Sequence, residues 1–219
     1  MASDMTGRRR KVAIVGSGCA ALGAAWALSH SNDVEVHIFE KNAKLGGHTN
    51  TQIWTKDGQS TPIDTGFIVM NTATYPNFIK FLAEVGVATK PTEMSFAVSR
   101  DHGALEWSGS GRGRGIFAQR RNIFRPGHWR MIFDIIRFNF FALDLLKNSS
   151  DYAQSVTIGT YLDDNGYSQA FKDDYLIPMT AAVWSTSPDK ASLDFPAQTL
   201  VRFLWNHHLL STVARRPDW

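Results

Sequence analysis

"VAIVGSGCAALGAAWALSHSNDVEVHIFEK", from Val12 to Lys41, alternates apolar runs with a glycine turn and an alanine-rich stretch. Val12 to Val15 is a short continuous apolar run, as expected of a parallel strand covered on both faces. Gly16-Ser17-Gly18 follows, and Cys19 to His30, rich in Ala and Leu and free of proline, reads as a helix. Ser31-Asn32-Asp33 turns the chain, and the β-branched run Val34 to Phe39 reads as a second strand. The pattern is a βαβ unit of about 30 residues.

Two glycines stand where strand becomes helix. Gly16 permits the sharp turn, and Gly18 lets a phosphate approach the backbone without meeting a Cβ. The helix start then offers unpaired amides and partial positive charge to a pyrophosphate. The third position of the spacing needs only a small side chain for close helix–strand packing, and Ala21 satisfies it, with Gly23, Ala24 and Ala25 keeping the next turn thin. Glu40 falls 19 residues after Ala21, the spacing at which a carboxylate accepts hydrogen bonds from a ribose diol. A carboxylate there disfavours a 2′-phosphate, so NADP is not expected. A bare GxGxxA is a weak signal, but the flanking strand, helix and acid make it a strong one. The competing reading is a tight turn in an α/β protein that holds no nucleotide.

Composition sets the bounds. At 219 residues and 43% hydrophobic content, the chain is long enough for one or two domains with a real core. A net charge of +3 is too small to argue for nucleic acid, and no nucleic-acid partner is expected. One cysteine excludes an internal disulfide and gives no metal-ligand spacing, so no metal is expected. The first residues, "MASDMTGRRRK", lack the apolar core of a secretory signal, and no uncharged apolar run is long enough for a membrane span. The expectation is a soluble, cytoplasmic protein, open to peripheral contact with a membrane.

The residues after Glu40 separate FAD from NAD. Gly46-Gly47 lies six residues beyond it, where a second loop can approach the same pyrophosphate, as a longer flavin dinucleotide can use. Glu40-Lys41, Leu45-Gly46-Gly47-His48, Ile63 to Val69 ("IDTGFIV"), Thr74 to Asn77 ("TYPN") and Met94 to Phe96 ("MSF") carry a resemblance. So do "GALEWSG", "PMTAAVWSTSP" and "LDFPAQTLVRFLWNH". The chain resembles the flavin-dependent amine oxidase and phytoene desaturase superfamily, and within it the group of predicted NAD/FAD-binding oxidoreductases with an amine-oxidase-type domain. The resemblance implies FAD as cofactor. It implies an adenosine half near Gly16, Ser17, Gly18, Ala20, Ala21, Glu40 and Lys41, and a second pyrophosphate contact from Gly46, Gly47 and His48. Gly66, Phe67 and Ile68 would approach the flavin ring. The superfamily often has arginine two residues before the glycine pair. Here that residue is Lys44, which lacks the bidentate fork, and no contact is assigned to it.

The superfamily's flavin domain is closed by a C-terminal strand and helix that usually carry a Gly-Asp pair, and no Gly-Asp occurs in this sequence. The expected architecture is therefore α/β: a Rossmann-like FAD/NAD(P)-binding domain, incomplete, with a largely helical substrate domain carrying a small antiparallel sheet. Residues 1–70 would be the first part of the flavin domain and 71–219 part of the substrate domain, the chain being an N-terminal portion. A deliberately short paralogue is the alternative.

Along the remainder, Ile63 to Val69 reads as a strand and Pro76 to Val85 as an amphipathic helix ending at Gly86. Met94 to Ser99 and Ala104 to Trp107 read as strands around the turn "RDHG", and Ser108 to Gly115 as a flexible loop. Six arginines and no acid lie between Arg112 and Arg130, with Phe117, Phe124 and Trp129 among them. They read either as a surface for phosphate-bearing lipid or a membrane, or as a solvated loop whose arginines cap neighbouring carboxylates. Met131 to Lys147 reads as a helix apolar on most sides, with Arg130, Asp134, Arg137 and Asp144 on one narrow face. Later segments, Ile158 to Asn165, Ser168 to Leu176, Met179 to Trp184 and Ala197 to His207, read as helices.

Other candidates carry little. Cys19 reads as a small space-filler buried beneath the dinucleotide, the adjacent His207 and His208 cannot share a helix face, and Asp163-Asp164 and Asp173-Asp174 read as solvated helix-end pairs. Flavin chemistry needs few side chains, so no catalytic residue is assigned. Phe67 and Trp184 are candidate cavity-lining groups. The functional expectation is an FAD-dependent oxidoreductase acting on a C–N or C–C bond of a small-molecule substrate, which the apolar helix and the arginines tilt towards a hydrophobic or lipid one. Its alternative is a dinucleotide-binding module without a complete active site.

Overall fold

β1 (Arg10–Val15) and β2 (Val34–Phe39) pair in parallel, Val12 opposite Val36 and Val15 opposite Phe39, with α1 (Cys19–Ser29) between them in sequence. The computed structural model describes residues 9–67, 69–92, 94–109, 111–147, 150–184, 187 and 193–210. It divides into two compact units, one running to Met70 and resuming over Tyr75–Thr89, the other made of Asn71–Thr74 and the chain from Lys90.

In the first unit the βαβ core forms as its pattern dictates, but its burial differs from expectation. β1 is not covered on both faces: Val15 is 87% exposed, and Ile38 and Phe39 are exposed too. α1 packs on the two-stranded sheet, while Lys11, Ala13 and Val15, alternate residues of β1, stand exposed. α1 buries none of its residues against the protein, and Cys19 at its start is exposed.

β3 (Asn50–Lys56) and β4 (Gln59–Gly66) form an antiparallel hairpin. Lys56 faces Gln59 across Asp57-Gly58, whose φ values of 51° and 76° are those of the type I′ turn that matches strand twist. The strand expected over Ile63 to Val69 therefore begins at Gln59 and ends at Gly66, because cross-strand pairing sets its length. α2 (Pro76–Glu84) starts on a proline whose missing N–H costs nothing in a first turn. Its Phe81 meets Trp26 of α1 edge-on at 5.8 Å.

The second unit holds the larger core. β5 (Ala97–Arg100) and β6 (Leu105–Ser108) pair as an antiparallel hairpin. Two 3₁₀ segments follow, Gly111–Phe117 and Arg120–Phe124, where a flexible loop was expected to reach Gly115; Ser110 of that loop lies outside the described residues. α3 (Pro126–Phe141) begins at its N1 proline, earlier than Met131, and gives way at Ala142 to a separate short α4 (Asp144–Lys147). Next come α5 (Asp151–Ser155), α6 (Ile158–Asp164), α7 (Gln169–Phe171), a π-helical turn Lys172–Leu176, α8 (Ile177–Trp184) and α9 (Ala197–Asn206). Ser150, Thr157 and Ser168 cap α5, α6 and α7, each hydroxyl accepting from an amide three residues on. Met131, Phe138, Leu162, Phe171, Leu200 and Leu204 make the fully buried centre, with the Phe138 ring 5.4 Å from Phe171. Among the described residues no helix is long and apolar enough to cross a membrane.

Candidate dinucleotide site

The site grows from the end of β1. The Gly16 amide donates to Phe39 O at 2.7 Å, so strand pairing persists up to the turn, which Gly16 then makes at φ +91°. Gly18 has an ordinary φ of −67°, and a Cβ built on it meets nothing within 4 Å. The protein's own backbone thus places no demand for glycine at this position. What glycine leaves is a clear space in front of the loop, directly before the start of α1. No side chain caps that start, so its first-turn amides are free to serve an external acceptor. Clear space and uncapped amides fit a phosphate group.

Ser17 is buried at the centre of the site. Its hydroxyl donates to Glu40 Oε2 at 2.5 Å and accepts from the Gly46 amide at 3.2 Å, which also donates to Ser17 O at 3.1 Å. The Asn42 amide donates to Glu40 Oε1 at 2.8 Å. The Ser17 hydroxyl first, and the Asn42 amide second, hold the Glu40 carboxyl below its ordinary range. Glu40 is thereby fixed at the end of β2 as an ionised acceptor, with lone pairs left for a sugar diol.

The second glycine pair lies against the first loop. Gly47 adopts φ +61°, and a Cβ on it would fall 2.7 Å from Gly18 Cα and 3.3 Å from Gly18 N. Only glycine permits that approach. Gly46, at φ +114°, is closed to a Cβ by the Thr49 hydroxyl. A Cβ on Gly66 would lie 3.1 Å from His48 O, so the end of β4 packs on the same loop. The Phe67 ring meets Tyr75 at 5.5 Å and Phe78 at 6.1 Å. Gly16, Ser17, Gly18, Glu40, Gly46, Gly47, His48 and Gly66 are therefore gathered by a continuous chain of contacts. Ala20 and Lys41 are exposed, Ala21 is half-buried, and Ile68 lies outside the described residues. Lys44 donates to Asn50 Oδ1 at 2.7 Å and to Thr51 O at 3.0 Å, occupied with the hairpin.

Residues 14–85 match the family model described as an NAD(P)-binding Rossmann-like domain. This stretch is a dinucleotide-binding domain. No curated protein matches the chain. The matched span contains the Glu40 carboxylate, the Gly46-Gly47 loop, the β3–β4 hairpin and α2.

Within the second unit a cavity of about 120 Å³ is lined by Met94, Phe96, Trp107, Tyr175, Met179 and His208, among others. Trp184 is not in that lining; it packs on Phe195 and Phe203. The lining depends on the π-helical turn, which no sequence pattern announced. This turn brings Tyr175 to stack on Trp107 at 5.9 Å, while the Trp107 indole donates to Asp174 O at 2.9 Å. It also corrects the reading of Asp174, whereas Asp163 and Asp164 stand exposed at the end of α6 as expected. Asp174 is ion-paired with Arg100, and burial pushes its carboxyl above the ordinary range despite that arginine. Asp163 binds the ammonium of buried Lys172, and Asp164 accepts from the Tyr152 hydroxyl at 2.6 Å. The extra residue of the π turn rotates Lys172 and Asp174 inward.

The arginines divide. Arg121 donates to Gly103 O and Ala104 O, Arg130 to Asp134 and Gly166 O, and Arg137 to Asn165 O while lying 3.8 Å over the Tyr167 ring. These brace the second unit. Arg114, Arg120 and Arg125 have no ion-pair partner among the described residues.

Proposed function

We propose that the chain belongs to an FAD-dependent oxidoreductase of the amine oxidase type, acting on a C–N or C–C bond of an apolar substrate. The observation that carries the reading is the seating of Gly47 on Gly18. A second glycine loop held against the first serves a ligand whose diphosphate is gripped from two sides, as a flavin dinucleotide requires. In this reading Gly16, Ser17, Gly18, Ala20 and Ala21 form the diphosphate cradle with Gly46, Gly47 and His48. Glu40, beside Lys41, accepts from the ribose diol, and Gly66 to Ile68 border the ring. When bound, the flavin supplies the acceptor for the electron pair removed from the substrate. The chain's own residues bind it, orient it and exclude 2′-phosphorylated dinucleotides through the ionised Glu40. The aromatic lining of the second unit's cavity favours an apolar substrate group.

The test is binding. Purified protein is titrated with FAD, NAD and NADP, following flavin fluorescence and the cofactor band near 450 nm (about this value for the free cofactor). Saturable FAD binding, weakened by Glu40→Ala, is expected. Saturation by NAD or NADP with none by FAD overturns the proposal.

A further inference from the structure

α3 is apolar on two opposite faces, and only one of them is used by the fold. Met131, Ile135, Phe138 and Ala142 are buried in the core of the second unit. Trp129, Phe133, Ile136 and Phe140 stand at i, i+4, i+7 and i+11, a single stripe along the other side. All four are exposed, Phe133 by 54% and Phe140 by 62%, and Phe124 just before the helix is 85% exposed. Surface helices normally carry polar residues there. A largely aromatic ridge of about 17 Å, the rise from Trp129 to Phe140 at about 1.5 Å per residue, marks a contact surface.

The charge around the ridge indicates its partner. Between Arg112 and Phe141 the sole acid is Asp134, which is buried and held by Arg130 and Arg137. The exposed side of this segment therefore presents no carboxylate. Arg120 and Arg125 flank the N-terminal end of the ridge, next to Phe124, without acidic partners among the described residues. The Trp129 indole donates to Ile123 O at 2.8 Å, and its ring lies 5.1 Å from Phe117, so the 3₁₀ segments and the ridge are fixed together. A second copy docking by this same face would bring more arginine and no acid to it. Lipid phosphates answer the arginines, and acyl chains answer the rings.

We propose that the outer face of α3 docks on the surface of a membrane containing anionic lipid, with α3 lying in the interface plane. Aromatic residues on one face with cationic flanks are the composition of such helices. The inference rests on the second unit alone and stands whether or not the flavin reading holds.

Flotation of the whole chain with phosphatidylcholine vesicles, with and without about a third phosphatidylserine, tests it. Binding to the anionic vesicles is expected, weakening as salt rises, with little binding to the neutral ones. Phe133→Ser with Phe140→Ser changes only exposed positions, so circular dichroism stays unchanged while vesicle partitioning falls by about tenfold or more. Arg120→Gln with Arg125→Gln lowers the preference for anionic vesicles by about fivefold per arginine. Unchanged partitioning of both double variants overturns the proposal. So does a dimer in sedimentation that is lost in the phenylalanine variant and coincides with no vesicle binding, which would assign the ridge to a second copy.

Discussion

Replacing Gly47 by alanine sets two backbones against each other. The new Cβ falls 2.7 Å from Gly18 Cα and 3.3 Å from Gly18 N, both main-chain atoms that no rotamer change can move. Reaching an ordinary contact of about 3.4 Å requires the loops to part by about 0.7 Å. Position 47 also has φ +61°, which costs an L-residue about 1–2 kcal/mol. Overpacking of this kind adds about 1–3 kcal/mol. The variant should therefore lose about 2–5 kcal/mol, shared between stability and the geometry of the crevice. Gly18→Ala is the companion. Its φ of −67° and clear surroundings admit a methyl group, and the entropy removed from the unfolded chain offsets a weaker helix cap. Thermal melts without cofactor should show Gly47→Ala lowered and Gly18→Ala near the parent, while fluorescence titration shows FAD binding impaired in both. Equal melting and equal affinity for Gly47→Ala would refute the contact between the loops. Normal FAD affinity in Gly18→Ala would refute the placement of a phosphate before α1.

Ser17→Ala removes the main cause of the lowered Glu40 carboxyl, so NMR titration should show it rising toward 4.5. The sign for stability follows: a carboxyl depressed in the folded state stabilises above its unfolded value and loses that contribution as pH falls through the folded one. The parent's stability should therefore drop more than the variant's on acidification below about pH 4.5. Phe138→Ala empties a fully buried ring site between Tyr167 and Phe171 and should cost about 3–5 kcal/mol in denaturant unfolding. Trp107→Phe leaves the Asp174 carbonyl without its indole donor, a loss of about 1–3 kcal/mol by the same measurement.

The βαβ unit was readable because each device in it is local: an apolar run, two glycines, a small-residue helix, an acid at fixed distance. The hairpin of β3 and β4 left a signal that the reading passed over, Asp57-Gly58 between two strand-compatible runs. Pro126 similarly announced the start of α3, masked by the stronger apolar pattern after Met131. Other features had no local signature. That Ser17 would bond Glu40, 23 residues away, depends on how the loop closes, since any small residue satisfies the glycine spacing. The inward turn of Lys172 and Asp174 arises from one residue too many in a helical turn, which periodicity cannot register. The exposure of Val15 and Cys19 likewise depends on what packs on the βαβ unit rather than on the unit's own pattern.

Ser17 spends its proton on a carboxylate and its lone pair on a neighbouring amide. Neutralising the carboxylate weakens its hold on that proton, and a hydroxyl released to rotate no longer aims its oxygen at Gly46. Acid would then loosen the carboxylate's side of the crevice while the Gly46 amide keeps its bond to the Ser17 carbonyl, so grip on the sugar would fade ahead of grip on the diphosphate.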